Sequence, residues 1–212
     1  MPRTRRIDTL RPRKQPLQSR SRDTVTAILK AAAQVFTSRG YAGTTTNHIA
    51  ERAGVSIGSL YEYFPNKDAL LVALMEEHIR QGEVILARVA LEAPSGPGHV
   101  REMISRFVTA MVDLHARDRQ LHRVLFEEAP LPRRVRRQLA EVEERITARV
   151  ADYLRMHPAV TRRDPALAAA VVVQTVEGLT HRLVVHGEGP ARSQAYVEEI
   201  VTLVTAYLNA SA

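Results

Sequence analysis

Apolar positions recur at helical spacing along almost the whole chain, and the strict alternation of a half-buried strand is scarce. In DTVTAILKAAAQVFTSRG, Val25, Ile28, Leu29, Ala32 and Phe36 form one stripe. The spacing predicts an amphipathic helix of about four turns, with Asp23 as its cap and Gly40 as a left-handed stop. Thr45 then offers a hydroxyl cap to a short helix ending near Arg52, whose Ile49, Ala50 and Ala53 can face the first helix, and Gly54 ends it. Ser56 caps a second short helix that can run only to about Tyr63, because Pro65 disfavours helical geometry at Phe64. From Asn66 one long helix follows, with Leu70, Leu71, Leu74, Ile79 and Leu86 available to a core, until PSGPG at 94–98 breaks it.

Beyond the break, Met103, Ile104, Phe107, Met111 and Leu114 mark a further helix, and QLHRVLFEEA is a shorter apolar piece ended by Pro130 and Pro132. A long, highly charged helix carries a narrower stripe through Val135, Leu139, Val142, Ile146, Val150, Tyr153 and Leu154. Asp164 with Pro165 opens a helix that is nearly apolar all round in its first half, and SQAYVEEIVTLVTAYLNA closes the chain. The pattern predicts an all-α protein of about nine helices without internal repeats, its main boundary in or just after the long helix that starts at Lys67.

Composition narrows the class. The 212 residues are 45% hydrophobic, enough to bury a core, and contain no cysteine, which excludes disulfides, thiolate nucleophiles and Cys-ligated metals. No apolar run reaches about 18 residues without a charge, and no apolar stretch follows the basic start in the manner of a signal peptide. A cytoplasmic protein that does not engage membrane is expected. The net charge is +7, and residues 1–22 account for all of it, with eight Arg and Lys against Asp8 alone. A neutral body with a basic, Pro-interrupted arm over residues 1–21 suggests a disordered tail that meets a polyanion, or simply a solubilising one.

Two short helices separated by AGV and preceded by a longer support have the spacing of a helix-turn-helix. Gly54 accommodates the turn, Ile49, Val55 and Leu60 can anchor the pair, and the second helix shows Ser56, Ile57, Gly58 and Ser59 at its outward front end. Three of only ten Phe and Tyr residues crowd into Tyr61, Tyr63 and Phe64. Tyr61, Tyr63 and Lys67, with the hydroxyls and amides of the helix front, would make a phosphate-gripping surface, whereas Phe64 reads as core. The tyrosines also have a plain half-buried reading, and Lys67, which opposes the dipole of the helix it starts, calls for an anionic partner.

TTTNHIAERAGVSIGSLYEYFPNKDALL resembles the DNA-binding signature of the TetR family of bacterial transcriptional repressors, over about residues 22–72. The resemblance implies Thr45, Thr46 and Asn47 near DNA at the start of the first short helix. It implies Ile57, Gly58 and Ser59 as reading positions, Tyr61, Tyr63 and Lys67 on phosphates, and Arg20 and Arg22 at the root of an arm that can follow the minor groove. Gly58 departs from members with a larger reading side chain and offers no hydrogen-bonding group. The domains expected are the arm (1–21), the helix-turn-helix domain (22–68) and a helical ligand-binding and dimerisation domain (69–212).

A single reading helix covers about one half-site, so a dimer on a pseudo-palindrome is expected. Val172, Val176, Leu179 and Leu183, with Val197, Ile200, Val201, Val204 and Leu208, are more apolar than a terminal helix pair needs. They read either as a dimer interface or as monomer core, and the family, which forms a four-helix bundle there, implies the interface. For a small-molecule inducer, Phe107, Met111, Leu114, His115, Leu125, Phe126, Tyr153, Gln174 and Glu177 offer aromatic, thioether and polar surface, though each also fits plain core or surface.

The eight histidines read as scattered, so no metal or other cofactor is expected. No Gly-rich phosphate loop, nucleophile elbow or HExxH motif points to an enzyme. The reading is a ligand-responsive, dimeric regulator, most simply a repressor of double-stranded operator DNA released by an inducer. Its rivals are a DNA-binding protein without a ligand, such as a constitutive repressor, and a helical enzyme that contains a helix-turn-helix.

Overall fold

The computed structural model describes residues 19–92, 99–130, 133–157, 160, 164–187 and 190–210. The arm as far as residue 18 and the predicted break at 94–98 lie outside them. Among the described residues there are nine α-helices and no strand: α1 Ser19–Gly43, α2 Thr46–Ala53, α3 Ile57–Tyr63, α4 Lys67–Glu92, α5 Val100–Ala116, α6 Arg119–Arg123, α7 Arg133–Met156, α8 Pro165–His186 and α9 Pro190–Asn209. A single π-helical turn, Val124–Glu128, continues α6.

The chain divides into two compact units. One comprises the residues up to His78 together with Gln120–Pro130, and the other Ile79–Arg119 and the residues from Leu131 onward. Helix α4 therefore begins in the first unit and ends in the second.

In the first unit the expected stripe of α1 is buried at Ile28, Ala32 and Phe36, and Ile49, Leu60, Phe64, Leu70, Leu71 and Met75 are likewise closed to solvent. Full burial of each of these side chains other than Ala32 is worth about 1.5–3 kcal/mol, before the entropy of ordering them. Helix α1 already exists at Ser19, so Asp23 lies inside it rather than capping it. Gly40 does leave the helix as expected, at φ 66°, but the chain turns back into helical conformation as far as Gly43. Residues 124–128 pack against α1 within this unit.

The second unit is built from the latter part of α4 with α5, α7, α8 and α9, which pair as α7 with α8, α5 with α8 and α9, and α8 with α9. Its core joins Val100, Ile104 and Val108 to Ala151, Leu154, Val176, Ile200, Val204 and Leu208. Asp164 caps α8, its carboxylate accepting from the backbone N–H of Ala166 and Leu167 at 3.0 Å each, with Pro165 in the first turn where no N–H is needed. At the other end Arg119 donates to the Val185 carbonyl at 2.6 and 3.2 Å. By length and composition α8 could cross a bilayer, but Val176, Thr180, Leu183, Val184 and Val185 are buried within the protein.

Candidate nucleic-acid interface

The pair α2 and α3 is fixed by local chemistry. Thr45, in extended conformation, accepts the His48 N–H through its hydroxyl at 3.3 Å, which satisfies one orphan donor of the first turn. Gly54 closes α2 in the left-handed conformation at φ 69°, a geometry that costs any residue with a Cβ. Two residues later Ser56 caps α3, its hydroxyl accepting from Ser59 N–H at 3.0 Å. Phe64 is extended, as the following proline dictates, and α3 stops at seven residues. Leu60 and Ile49 seat the two helices on the core, and Arg52 donates to Gln34 Oε1 at 2.8 Å, tying α2 to α1.

The front of α3 faces outward. Ser56, Ile57 and Gly58 are exposed, Ile57 at 38%, and Ser59 is half-buried. A Cβ on Gly58 would meet nothing nearer than Ser56 Oγ at 3.7 Å. The protein's own packing therefore does not require glycine there; what its absence of side chain provides is an open backbone. Thr45 and Asn47 are exposed beside it, and Thr46 Oγ1 shares a 3.0 Å hydrogen bond with the hydroxyl of Tyr61, itself 39% exposed. Arg22 is exposed on the first turns of α1, where Arg20 also lies.

Two of the residues expected on this face are used differently. Tyr63 follows Leu60 by three positions on a helix, so it shares the inward face and is only 9% exposed. Its ring belongs to the core. Lys67 directs its ammonium to the carbonyls of Tyr41 at 2.9 Å and Thr44 at 3.2 Å, and sits 4.1 Å from the centroid of the Tyr41 ring. The partner that this lysine needs is supplied by the end of α1, so no phosphate is required to explain it. Tyr41 in turn donates its hydroxyl to Asp68 at 2.7 Å; burial first, then the Asp68 carboxylate, pushes its pKa up to about 12.

An α1-supported pair of short helices with an open second-helix front is the geometry of a helix-turn-helix. Comparison with known families decides which one. The profile described as "Bacterial regulatory proteins, tetR family" matches residues 28–74, and that of "Tetracyclin repressor-like, C-terminal domain" matches residues 100–208, half of the chain by itself. The chain belongs to the TetR family. It is a DNA-binding transcriptional regulator. It is 29% identical over 170 residues to the transcriptional regulator TtgR of Pseudomonas putida, covering 76% of this chain and 80% of that one. In fold it is similar to the fatty acid degradation regulator FadR of Bacillus halodurans, with a TM-score of 0.70 at 23% identity over 91% and 96% of the two chains. It is also similar in fold to AibR, solved with isovaleryl coenzyme A and operator DNA, with a TM-score of 0.63 at 21% identity over 85% and 97%.

The TetR-type C-terminal half places the expected ligand and dimer residues less simply. Leu125 and Phe126 belong to the first unit, where Leu125 is 2% exposed and Phe126 lies against the rings of His78 and His122 at 5.4 and 4.7 Å. These two histidines are not scattered, their ring centroids being 5.0 Å apart. The other ligand candidates lie in the second unit. There Met111 and Leu114 are buried in one apolar cluster, Phe107 packs on it and Tyr153 packs on the main core. Buried His115 lies 4.0 Å from Glu177, and Gln174 donates to Glu143 at 3.2 Å. Crowding by its surroundings and the charge of Glu143 raise the Glu177 pKa, although half of its side-chain surface is exposed. A cleft of about 270 Å³ opens elsewhere in this unit, between Arg80, Val84, Ile85 and Arg88 on α4 and Ala110, Asp113 and Arg117 around α5. None of the expected ligand residues lines it.

Within one chain, most of the α8 and α9 residues expected to meet a partner are buried. Val176, Leu183, Ile200, Val201, Val204 and Leu208 are at most 7% exposed inside the chain's own core, and Val172, Leu179 and Val197 pack on that core. What these helices do leave open is Leu167 at 61%, Val171 at 36% and Leu203 at 53%, with a clear space beside Gly178. The sequence signal that separates the two sets is phase: Leu167 and Val171 are one turn apart and off the Val172/Val176/Leu183 stripe.

Proposed function

We propose that this regulator is a cytoplasmic repressor that binds a pseudo-palindromic operator as a homodimer and is released by a small-molecule inducer. The observation that carries the DNA part is the open front of α3: Ser56, Ile57 and Gly58 are exposed on a helix locked from behind by Leu60. Ile57, Gly58 and Ser59 then face the bases, while Thr45, Thr46, Asn47 and Tyr61 hold the backbone, with Arg20 and Arg22 near the root of the arm. The dimer is formed through Leu167, Val171, Gly178 and Leu203, whose exposure gives two copies something to bury. Inducer and operator compete because each has a different affinity for two states of the dimer. The polar His115, Gln174 and Glu177 and the apolar Phe107, Met111 and Tyr153 all lie in the second unit, which supports a ligand with both polar and apolar parts.

Selection of genomic fragments by the purified protein tests this reading. A recovered motif with twofold symmetry, bound by a dimer and causing repression in a reporter strain, is the result expected. Sequence-indifferent binding, or selection of a single asymmetric half-site by a monomer, would overturn it.

A further inference from the structure

The sequence of the helix-turn-helix contains everything that caps α2 and α3, yet the corner that leads into them is held from far away in the chain. Gly40 leaves α1 at φ 66° with an extended ψ, turning the next peptide off the helical ladder. The N–H of Tyr41 then lies 3.4 Å from Glu128 Oε2, and the other Glu128 oxygen pairs with Arg123 at 3.0 Å. The positive φ favours glycine at this position, and a Cβ on it would come within 2.9 Å of the same Glu128 oxygen, so that the carboxylate would have to move. Tyr41 is the hub of the corner. Its carbonyl receives Lys67, its hydroxyl holds Asp68, and its ring is stacked on Phe36. Thr44, three residues on and buried, donates to the Gly40 carbonyl at 2.6 Å and precedes the α2 cap.

We infer that Glu128 is a positioning residue for DNA binding: its carboxylate sets the Gly40–Tyr41 corner, and through Tyr41 the placement of α2 and α3 relative to the start of α4. It touches no DNA. It acts by orienting groups that do, and all the residues concerned lie within the first compact unit. Glutamine can supply the same carbonyl-type acceptor to Tyr41 N–H, whereas alanine cannot.

The test uses the full chain and a fragment selected by the wild-type protein, so that failure of wild type to select any fragment speaks against the repressor reading alone. Glu128→Ala is expected to weaken operator binding by about threefold to tenfold, the scale of one modest hydrogen bond. Affinity for random duplex should stay unchanged, and amide exchange at Tyr41 and Thr44 should speed up. Glu128→Gln should retain most operator affinity and slow exchange, and Arg123→Ala should fall between the two. Wild-type operator affinity in Glu128→Ala, or equal loss in Ala and Gln variants with Tyr41 exchange unmoved, would overturn the inference. If the alanine variant does not fold, Gln and Arg123→Ala still decide it by the same exchange measurement.

Discussion

The hydroxyls of Thr46 and Tyr61 lie 3.0 Å apart, joining the first turn of α2 to the exposed side of α3. Neither residue packs in the core, so the bond fixes the angle of Tyr61 and adds only modestly to the stability of the fold. Tyr61→Phe removes the shared hydroxyl and keeps the ring. In a double-mutant cycle with Thr46→Val, a coupling of about 0.5–1 kcal/mol in unfolding free energy is expected. Operator affinity of Tyr61→Phe should fall to a similar extent for matched and mismatched sites, because a backbone contact positions without reading bases. A change in base preference would contradict that role.

Lys67 serves the α1–α2 corner from the start of α4. Lys67→Met retains the stem but leaves the Tyr41 and Thr44 carbonyls without their donor and the Tyr41 ring without its cation. A loss of about 1–3 kcal/mol is expected, read as a fall of several degrees in Tm. The slope of log affinity against log salt should be unchanged if the two carbonyls are the partners of the ammonium; a slope reduced by about 1 would return Lys67 to the DNA surface.

The local caps were legible before the structure because their cause is local. Thr45, Gly54, Ser56 and the Phe64–Pro65 step each act on neighbours within four residues, and all stand where the sequence puts them. Tyr63 and Lys67 were less legible, since resemblance supplies a residue's neighbourhood and not its direction. The three-residue offset from Leu60 turns Tyr63 inward, and carbonyls 23 and 26 residues away capture Lys67. Least legible was the division of α8 and α9. Helical phase separates Val201 from Leu203, but with so little polar surface to mark one side, which of the two phases meets the core was decided by their exposures of 1% and 53%. The contact of Glu128 with Tyr41 left no signal in sequence because the two are 87 residues apart.

Tyr41 gives the head an alkaline signature. Its pKa lies near 12 in the folded chain and near 10 when unfolded, so the folded state favours the protonated phenol. The associated stability is fully present below about pH 10 and is lost as pH rises toward 12. Tyr41→Phe lacks the hydroxyl and the bond to Asp68. It should be less stable than wild type at pH 8, and the gap should close between pH 10 and 12 in denaturant titrations. A gap constant over that range would mean that the phenol does not titrate as its surroundings require.

The basic arm should contribute to affinity without contributing to the fold. Deleting residues 1–19 removes six of the eight Arg and Lys side chains that precede Asp23, all but Arg20 and Arg22, and none of the buried stripe that starts at Ile28. Helicity and Tm should persist, while operator affinity falls at low salt and its salt slope becomes shallower. Unchanged affinity at low salt would make the arm a solubilising tail.

Leu203 separates the two uses of α9. It lies two residues after Val201 and one before Val204, both buried, yet is itself 53% exposed, so a charge at this position meets solvent in the monomer and a partner's apolar surface in a dimer. Leu203→Glu should therefore leave the monomer fold intact, with helicity preserved, and shift the protein toward monomer in sedimentation. Operator affinity should drop steeply, because a monomer holds one half-site and loses the second contact set. Val201→Glu provides the contrast: an unpaired carboxylate forced into the core of the second unit should unfold it, since burying such a charge costs several kcal/mol. If Leu203→Glu remains a dimer with full operator affinity, the pairing surface is not this face of α9.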